Sequence, residues 1–298
     1  MGWPRRLLAA WPAKAILALL ILDQLLFWSL LTRPAASLSG LIQLTDSETP
    51  PHYRLRPNLA TTWTLWREAD ATPIHTNSLG FRSPERPLAK PPDRQRVVLM
   101  GDSVTFGIGV SDADSLGVQL QQALTSTAIE VWNAGVPGYA MADFRGALGA
   151  QVLPLAPDLV LLQLSRNDSL VPLRLGPGLL GLARFSGLAR AWLLLRFNFL
   201  SDHAAYVRDL AAFLQLARQH AVPVLIWPEG VPDRQNAELV ALAARHGAVV
   251  RAIHSDSLEK LPGDPHFSPR GNAEAARRLV PWVRGSLDGT LPWTSSYP

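Results

Sequence analysis

The run Arg96-Val97-Val98-Leu99-Met100-Gly101-Asp102-Ser103 limits the possible folds more than any other stretch of the chain. Four consecutive apolar residues after a charged linker read as a strand buried on both faces, the pattern of a parallel sheet covered by helices. The chain must then turn sharply at Gly101-Asp102-Ser103, and ligand sites in such sheets lie beyond the carboxyl ends of the strands. Ser103 is thereby expected in a crevice at the start of the following helix. A free serine hydroxyl is a weak nucleophile, so chemistry there requires a base, a group that orients the base and donors for an oxyanion. A serine in that place can equally serve as a simple helix cap.

From residue 96 onward, apolar runs alternate with amphipathic stretches. Strands are expected at residues 97–100, 129–132, 159–164, 222–227 and 248–253, and helices at 116–126, 140–153, 203–220, 236–246 and 269–287. Such alternation predicts an α/β fold: a three-layer α/β/α domain around a five-stranded parallel sheet, over residues 96–298.

The formal charge of +4 lies mostly in the first 33 residues, where Arg5, Arg6, Lys14 and Arg33 face only Asp23. The remainder carries about +1 and has no basic patch of the kind nucleic acid requires, so nucleic-acid binding is set aside. There is no cysteine, which excludes disulfides, a thiol nucleophile and thiolate metal sites. The histidines are scattered without ligand spacing, and the glycines following Ser103 lack the Gly-x-Gly-x-x-Gly pattern, so neither metal nor cofactor is expected.

Residues 15–31 (AILALLILDQLLFWSLL) form a largely apolar, helix-length stretch behind three basic residues. At 1.5 Å per residue they span roughly 25 Å, close to a bilayer core. The expectation is an uncleaved membrane anchor over residues 1–33, with the N-terminus cytoplasmic and the rest extracytoplasmic, in the periplasm or at the cell surface. Asp23 and Gln24 interrupt this stretch. Asp23 is either tolerated in lipid or reserved for a polar contact with a partner membrane protein, such as a membrane acyltransferase.

Residues 34–95 are punctuated by proline and read as an extracytoplasmic stem without long helices. Thr61-Thr62-Trp63-Thr64-Leu65-Trp66 suggests a short strand there, and Asn77-Ser78-Leu79-Gly80-Phe81-Arg82 a turn with an apolar plug. The stem is expected to pack on the catalytic domain. Residues 170–200 form a leucine-rich insertion charged only by Arg174, Arg184, Arg190 and Arg196. It reads either as helical packing on the domain or as an interfacial helix with arginines at headgroup level. Its place after the third strand also makes it a candidate lid or acyl pocket.

Three further blocks follow strand ends. Asn133-Ala134-Gly135-Val136-Pro137-Gly138-Tyr139 offers glycines where a backbone N–H can approach a ligand. Ser165-Arg166-Asn167-Asp168 offers in Asn167 a neutral amide with two N–H donors. Asp264-Pro265-His266 offers His266 as general base, with Asp264 to hold its tautomer. Residues two apart in an extended segment point to the same side, and Pro265 biases Asp264 toward extended backbone. His254 and Asp256 form a competing pair, placed second because no turn and helix follow it directly.

Taken together, the four blocks resemble the SGNH (GDSL-type) hydrolase superfamily in order and approximate spacing, over about residues 96–285. The segment 77–82 is similar to one seen ahead of this domain in bacterial membrane-anchored members. The resemblance implies a flavodoxin-like sheet. It also implies Ser103 as nucleophile, with its own N–H, the Gly138 N–H and the Asn167 side chain as oxyanion hole, His266 as base and Asp264 as its orienting acid. Gly138 is preferred over Gly135 because it lies five residues after Asn133, in the place of the family's donor glycine. Two departures stand out: Ser165 replaces the usual glycine, and one residue rather than two separates acid from base. The second resembles bacterial polysaccharide O-acetyltransferases of the superfamily. The implied activity is that of a serine esterase or O-acyltransferase working through an acyl-enzyme on an ester of a cell-envelope glycan, O-acetyl above all. Lipid ester or thioester hydrolysis is the alternative within enzymes. A non-catalytic envelope module partnering a membrane acyltransferase is the alternative outside them.

Overall fold

The computed structural model describes residues 18–26, 38–63, 71–125, 128–165, 168, 186–188, 202–230, 233–253 and 255–291. The chain divides into two compact units, one of Met1–Ala35 and Leu173–Leu200, the other of Ala36–Pro172 and Ser201–Pro298.

In the larger unit, β1 (Ile42–Leu44) pairs antiparallel with β2 (Tyr53–Leu55), and β3 (Ala60–Trp63) with β4 (Thr72–His75). The central sheet comprises β5 (Gln95–Met100), β6 (Ile129–Asn133), β7 (Leu159–Ser165), β8 (Val224–Glu229) and β9 (Val249–Val250). It is parallel throughout, in the order β6-β5-β7-β8-β9. The order reverses direction at β5, and crevices form at such switch points beyond the strands' carboxyl ends.

The pleat sorts the apolar runs onto two faces. Val97 and Leu99 of β5 face a layer containing α2 (Leu116–Leu124) and α6 (Pro269–Leu287), through Leu116, Leu120, Ala276 and Leu279. Val98 and Met100 face the opposite layer, where Phe144, Leu210, Phe213 and Leu242 belong to α3 (Met141–Ala147), α4 (His203–Gln219) and α5 (Asp233–His246). Both faces are therefore covered, and this explains why the strands are mostly apolar on both sides.

The elements differ from the sequence expectation in detail. The first strand begins at Gln95, and Arg96 is fully buried, its guanidinium on Glu130 at 2.6 Å and over the Trp132 ring at 4.8 Å. The helix expected at 140–153 is α-helical only over α3. It widens to a π turn at Leu148–Val152 and tightens to a 3₁₀ turn at Leu153–Leu155, where Pro154 cannot donate to an α ladder.

The described residues among 42–95 pack on the sheet domain. The Tyr53 hydroxyl donates to Pro137 O at 3.0 Å, and the Tyr139 hydroxyl returns to Tyr53 O at 2.6 Å. The 77–82 turn closes on itself, with Asn77 Oδ1 accepting from the Leu79 and Phe81 N–H groups. Phe81 then meets Trp132 edge-on at 6.3 Å. The expected strand at 61–66 is seen as β3; Thr64, Leu65 and Trp66 lie outside the described residues. Among the described residues no helix is long and apolar enough to cross a membrane. Of the apolar segment 15–31, residues 18–26 are described and helical.

Candidate active site

Ser103 opens α1 (Ser103–Phe106), the short helix that leaves β5. Asp102 caps this helix, its Oδ1 accepting from the Val104 N–H at 3.0 Å. At the other end Gly107 adopts φ +87° and donates back to Ser103 O at 3.0 Å. The turn is thus bonded at both ends, and Ser103 is fixed at the carboxyl edge of the sheet.

His266 reaches the same point from the loop before α6. Phe267 is buried against Trp227 of β8, the rings stacked at 6.1 Å, and Ser268 caps α6 by accepting from Gly271 N–H at 3.1 Å. Between these anchors His266 Nε2 lies 2.7 Å from Ser103 Oγ, while His266 Nδ1 lies 2.5 Å from Asp264 Oδ1. The same carboxylate oxygen accepts the His266 N–H at 2.9 Å, so the one-residue spacing suffices for contact. An ionised carboxylate only accepts, which keeps a proton on Nδ1 and turns the Nε2 lone pair toward the Ser103 hydroxyl. The His266 side chain is 17% exposed and that of Asp264 4%, so the imidazole is reachable from solvent and the carboxylate behind it is shielded.

The glycine loop after β6 lies against α1. A Cβ on Gly135 would come within 2.5 Å of Phe106 N, so no other residue fits there. The Gly135 N–H is already given to Asn133 Oδ1 at 3.0 Å, and Asn133 Nδ2 donates to Thr105 O at 2.8 Å. Among the described residues, the N–H groups of Gly138 and Ser103 have no hydrogen-bond partner. This distinguishes the two glycines: Gly135 is a packing residue, and Gly138, with φ +80°, holds a free donor.

Asn167 lies outside the described residues, as does His254; Asp256 sits exposed in the 3₁₀ turn Ser255–Ser257. Behind Ser103, the Ser165 hydroxyl donates to Asp102 Oδ2 at 2.8 Å, and the Ser165 N–H to Asp168 Oδ2. Burial, reinforced by the nearby Asp102, pushes the Asp168 carboxyl well above the usual carboxylate range.

Two contributions were not visible in the chain. In the sequence Ser165 stands out only as a departure from glycine, yet its hydroxyl holds the carboxylate that caps the helix Ser103 opens. Arg82 was read as the end of a turn, yet it is buried against α1. Its guanidinium donates to Phe106 O at 3.2 Å, Gly107 O at 2.5 Å and Val110 O at 2.8 Å, and lies 4.9 Å from the Phe106 ring. An arginine directly after an apolar plug is the only sequence signal of this role. A separate cleft of about 440 Å³ lies at the N-terminal end of β8, lined by Leu214, Val222 and His246, away from Ser103.

The sequence profile of the GDSL-like Lipase/Acylhydrolase family matches residues 99–281. No curated protein matches the chain. Among solved structures, TesA is similar at TM-score 0.45 and 20% identity, over 66% of this chain and 100% of its own. A lipase/acylhydrolase from Enterococcus faecalis gives 0.46 and 21%, over 64% and 96%. The acetyl xylan esterase AlAXEase gives 0.46 and 16%, over 63% and 98%. With its match running from the end of β5 to within α6, and so across both halves of the serine–histidine pair, the chain belongs to the GDSL-like lipase/acylhydrolase family and is a serine ester hydrolase.

Proposed function

We propose that Ser103 is the nucleophile of an esterase that acts through an acyl-enzyme on an O-acetyl ester of a cell-envelope glycan. The observation that carries the mechanism is the continuous relay from Asp264 through His266 to Ser103 Oγ, with links of 2.5 and 2.7 Å. Ser103 Oγ attacks the ester carbonyl as its proton passes to His266 Nε2, and Asp264 stabilises the imidazolium. The N–H groups of Ser103 and Gly138 and the amide of Asn167 receive the developing oxyanion. His266 returns the proton to the departing sugar oxygen. Water or a second glycan hydroxyl then takes the acyl group from Ser103 by the same route in reverse, giving hydrolysis or transfer.

The envelope assignment rests on the sequence: basic residues followed by the apolar segment 15–31 read as an anchor that holds the catalytic unit outside the cytoplasm. The acetyl assignment rests on the Asp-x-His spacing, which resembles that of polysaccharide O-acetyltransferases.

Full-length protein in membranes, treated with a fluorophosphonate probe beside Ser103→Ala, tests the nucleophile. Labelling is expected in the wild type and absent in the variant; equal labelling of both would remove Ser103 from the role. Acetate release from O-acetylated glycans, compared with release from long-chain lipid esters, tests the substrate class. Preference for the lipid esters would overturn the glycan assignment while leaving the nucleophile intact.

A further inference from the structure

The helix at residues 18–26 leaves Leu19, Leu20, Ile21, Leu22 and Leu25 exposed, the least of them at 47%. Successive helical residues are about 100° apart, so Leu19 to Leu22 sweep the whole circumference rather than one stripe. A protein partner covers a stripe. A helix left apolar on every side takes lipid as its solvent.

Asp23 sits within this surface, and its Oδ1 is already engaged. It accepts from Ser186 Oγ and from the Leu188 N–H, each at 2.8 Å, across 163 and 165 residues of sequence. Gly187 and Leu188 are helical, which makes the Leu188 N–H one of the donors that a helix start leaves unpaired. Leu188 is itself 44% exposed. In water neither group needs the other, because both can be solvated. In hydrocarbon an unpaired carboxylate and an unpaired N–H are each costly, and joining them relieves both. Residues 173–200 also carry four arginines and no acidic residue, a charge pattern complementary to anionic headgroups.

We propose that the insertion around Ser186–Leu188 enters the same bilayer as the N-terminal helix, and that Asp23 is the latch between them. Asp23 is then spent within the chain and not on a membrane-protein partner. The inference rests on the reading of residues 15–31 as a membrane anchor.

The chain has no cysteine, so cysteines can be introduced without background. Full-length protein in native membrane vesicles is washed with alkaline carbonate, and wild type is expected to stay in the pellet. Release of the wild type would overturn the anchor itself. In retained protein, Leu188→Cys, which keeps Asp23 and Ser186, is expected to react with a membrane-impermeant maleimide at least about tenfold more slowly in intact vesicles than in detergent. Full labelling of retained protein in intact vesicles, from either side, would overturn embedding of the insertion while sparing the anchor. The pair Asp23→Cys with Ser186→Cys is expected to form an intramolecular cross-link on oxidation, whereas Asp23→Cys with Glu274→Cys is not. Cross-linking through position 23 between two copies instead would overturn the latch.

Discussion

Ser103 and His266 come from opposite ends of the family-matched region, and the hydrogen between them is controlled by a third side chain, Asp264. Asp264→Asn replaces an oxygen that must accept with an amide that can also donate, so it permits the wrong imidazole tautomer. The expected loss in kcat is about 10³–10⁴-fold on a soluble acetyl ester, with KM little changed. His266→Ala is expected to lose at least as much. The backbone N–H of His266 also donates to Asp264 Oδ1, which ties the carboxylate to the loop that carries the ring. Ser165→Gly restores the residue usual in relatives yet removes the hydroxyl that holds Asp102. A stability loss of about 1–2 kcal/mol is expected in denaturant titration, with a fall in kcat because the cap of α1 loosens. These serine and histidine positions were legible because Ser103 follows a strand and His266 precedes a helix, each with its own local signature. The Ser165–Asp102 bond was not, because it joins two strand ends 63 residues apart and leaves no periodicity behind.

At the scale of elements, β5, β6 and β7 were readable because they are buried on both faces, so most of their positions are apolar. The edge strand β9 was not: two residues, Val249–Val250, stand where six were expected, and the ladder ends after the Arg251 N–H reaches Ile226 O at 2.9 Å. At two residues, β9 is too short for any hydrophobic period to mark its limits. The 77–82 turn is the other case. Its outline could be read from Asn77 and Gly80, but its purpose lies in Arg82, whose hydrogen bonds are all to carbonyls and to Asp112. Arg82→Met preserves the aliphatic stem and strands those acceptors. It is expected to cost about 3 kcal/mol by thermal or denaturant unfolding and to lower kcat, because the C-terminal end of α1 loses its support. Arg82→Lys is expected to recover only part of either, since a single ammonium cannot serve carbonyls spread over Phe106, Gly107 and Val110.

Across the whole molecule, one buried carboxyl gives stability a pH dependence. Burial pushes Asp143, at the start of α3, up to about 7, with Asp209 adding to the rise and the Ala140 N–H opposing it. The folded protein therefore keeps a proton that the unfolded chain releases from about pH 4 upward. That stabilisation is complete below the unfolded value and is lost as pH rises through about 7. Asp143→Asn keeps an acceptor for Ala140 and has no proton to lose. Its melting temperature relative to wild type is expected to rise between pH 5 and pH 8; a constant difference across that range would exclude Asp143 as the titrating group. The reciprocal tyrosine bonds have a consequence of another kind. Tyr53 fastens to residues 137 and 139, which flank Gly138, so a segment outside the family's shared region holds the Gly138 turn in register. Kinship and folding thus draw different boundaries: cutting the chain at residue 96 would keep the whole family-matched region while releasing the clamp on the turn that carries Gly138. Evolutionary exchange of the hydrolase core between proteins of this kind would have to carry the preceding fifty-odd residues with it, or replace them with an equivalent brace.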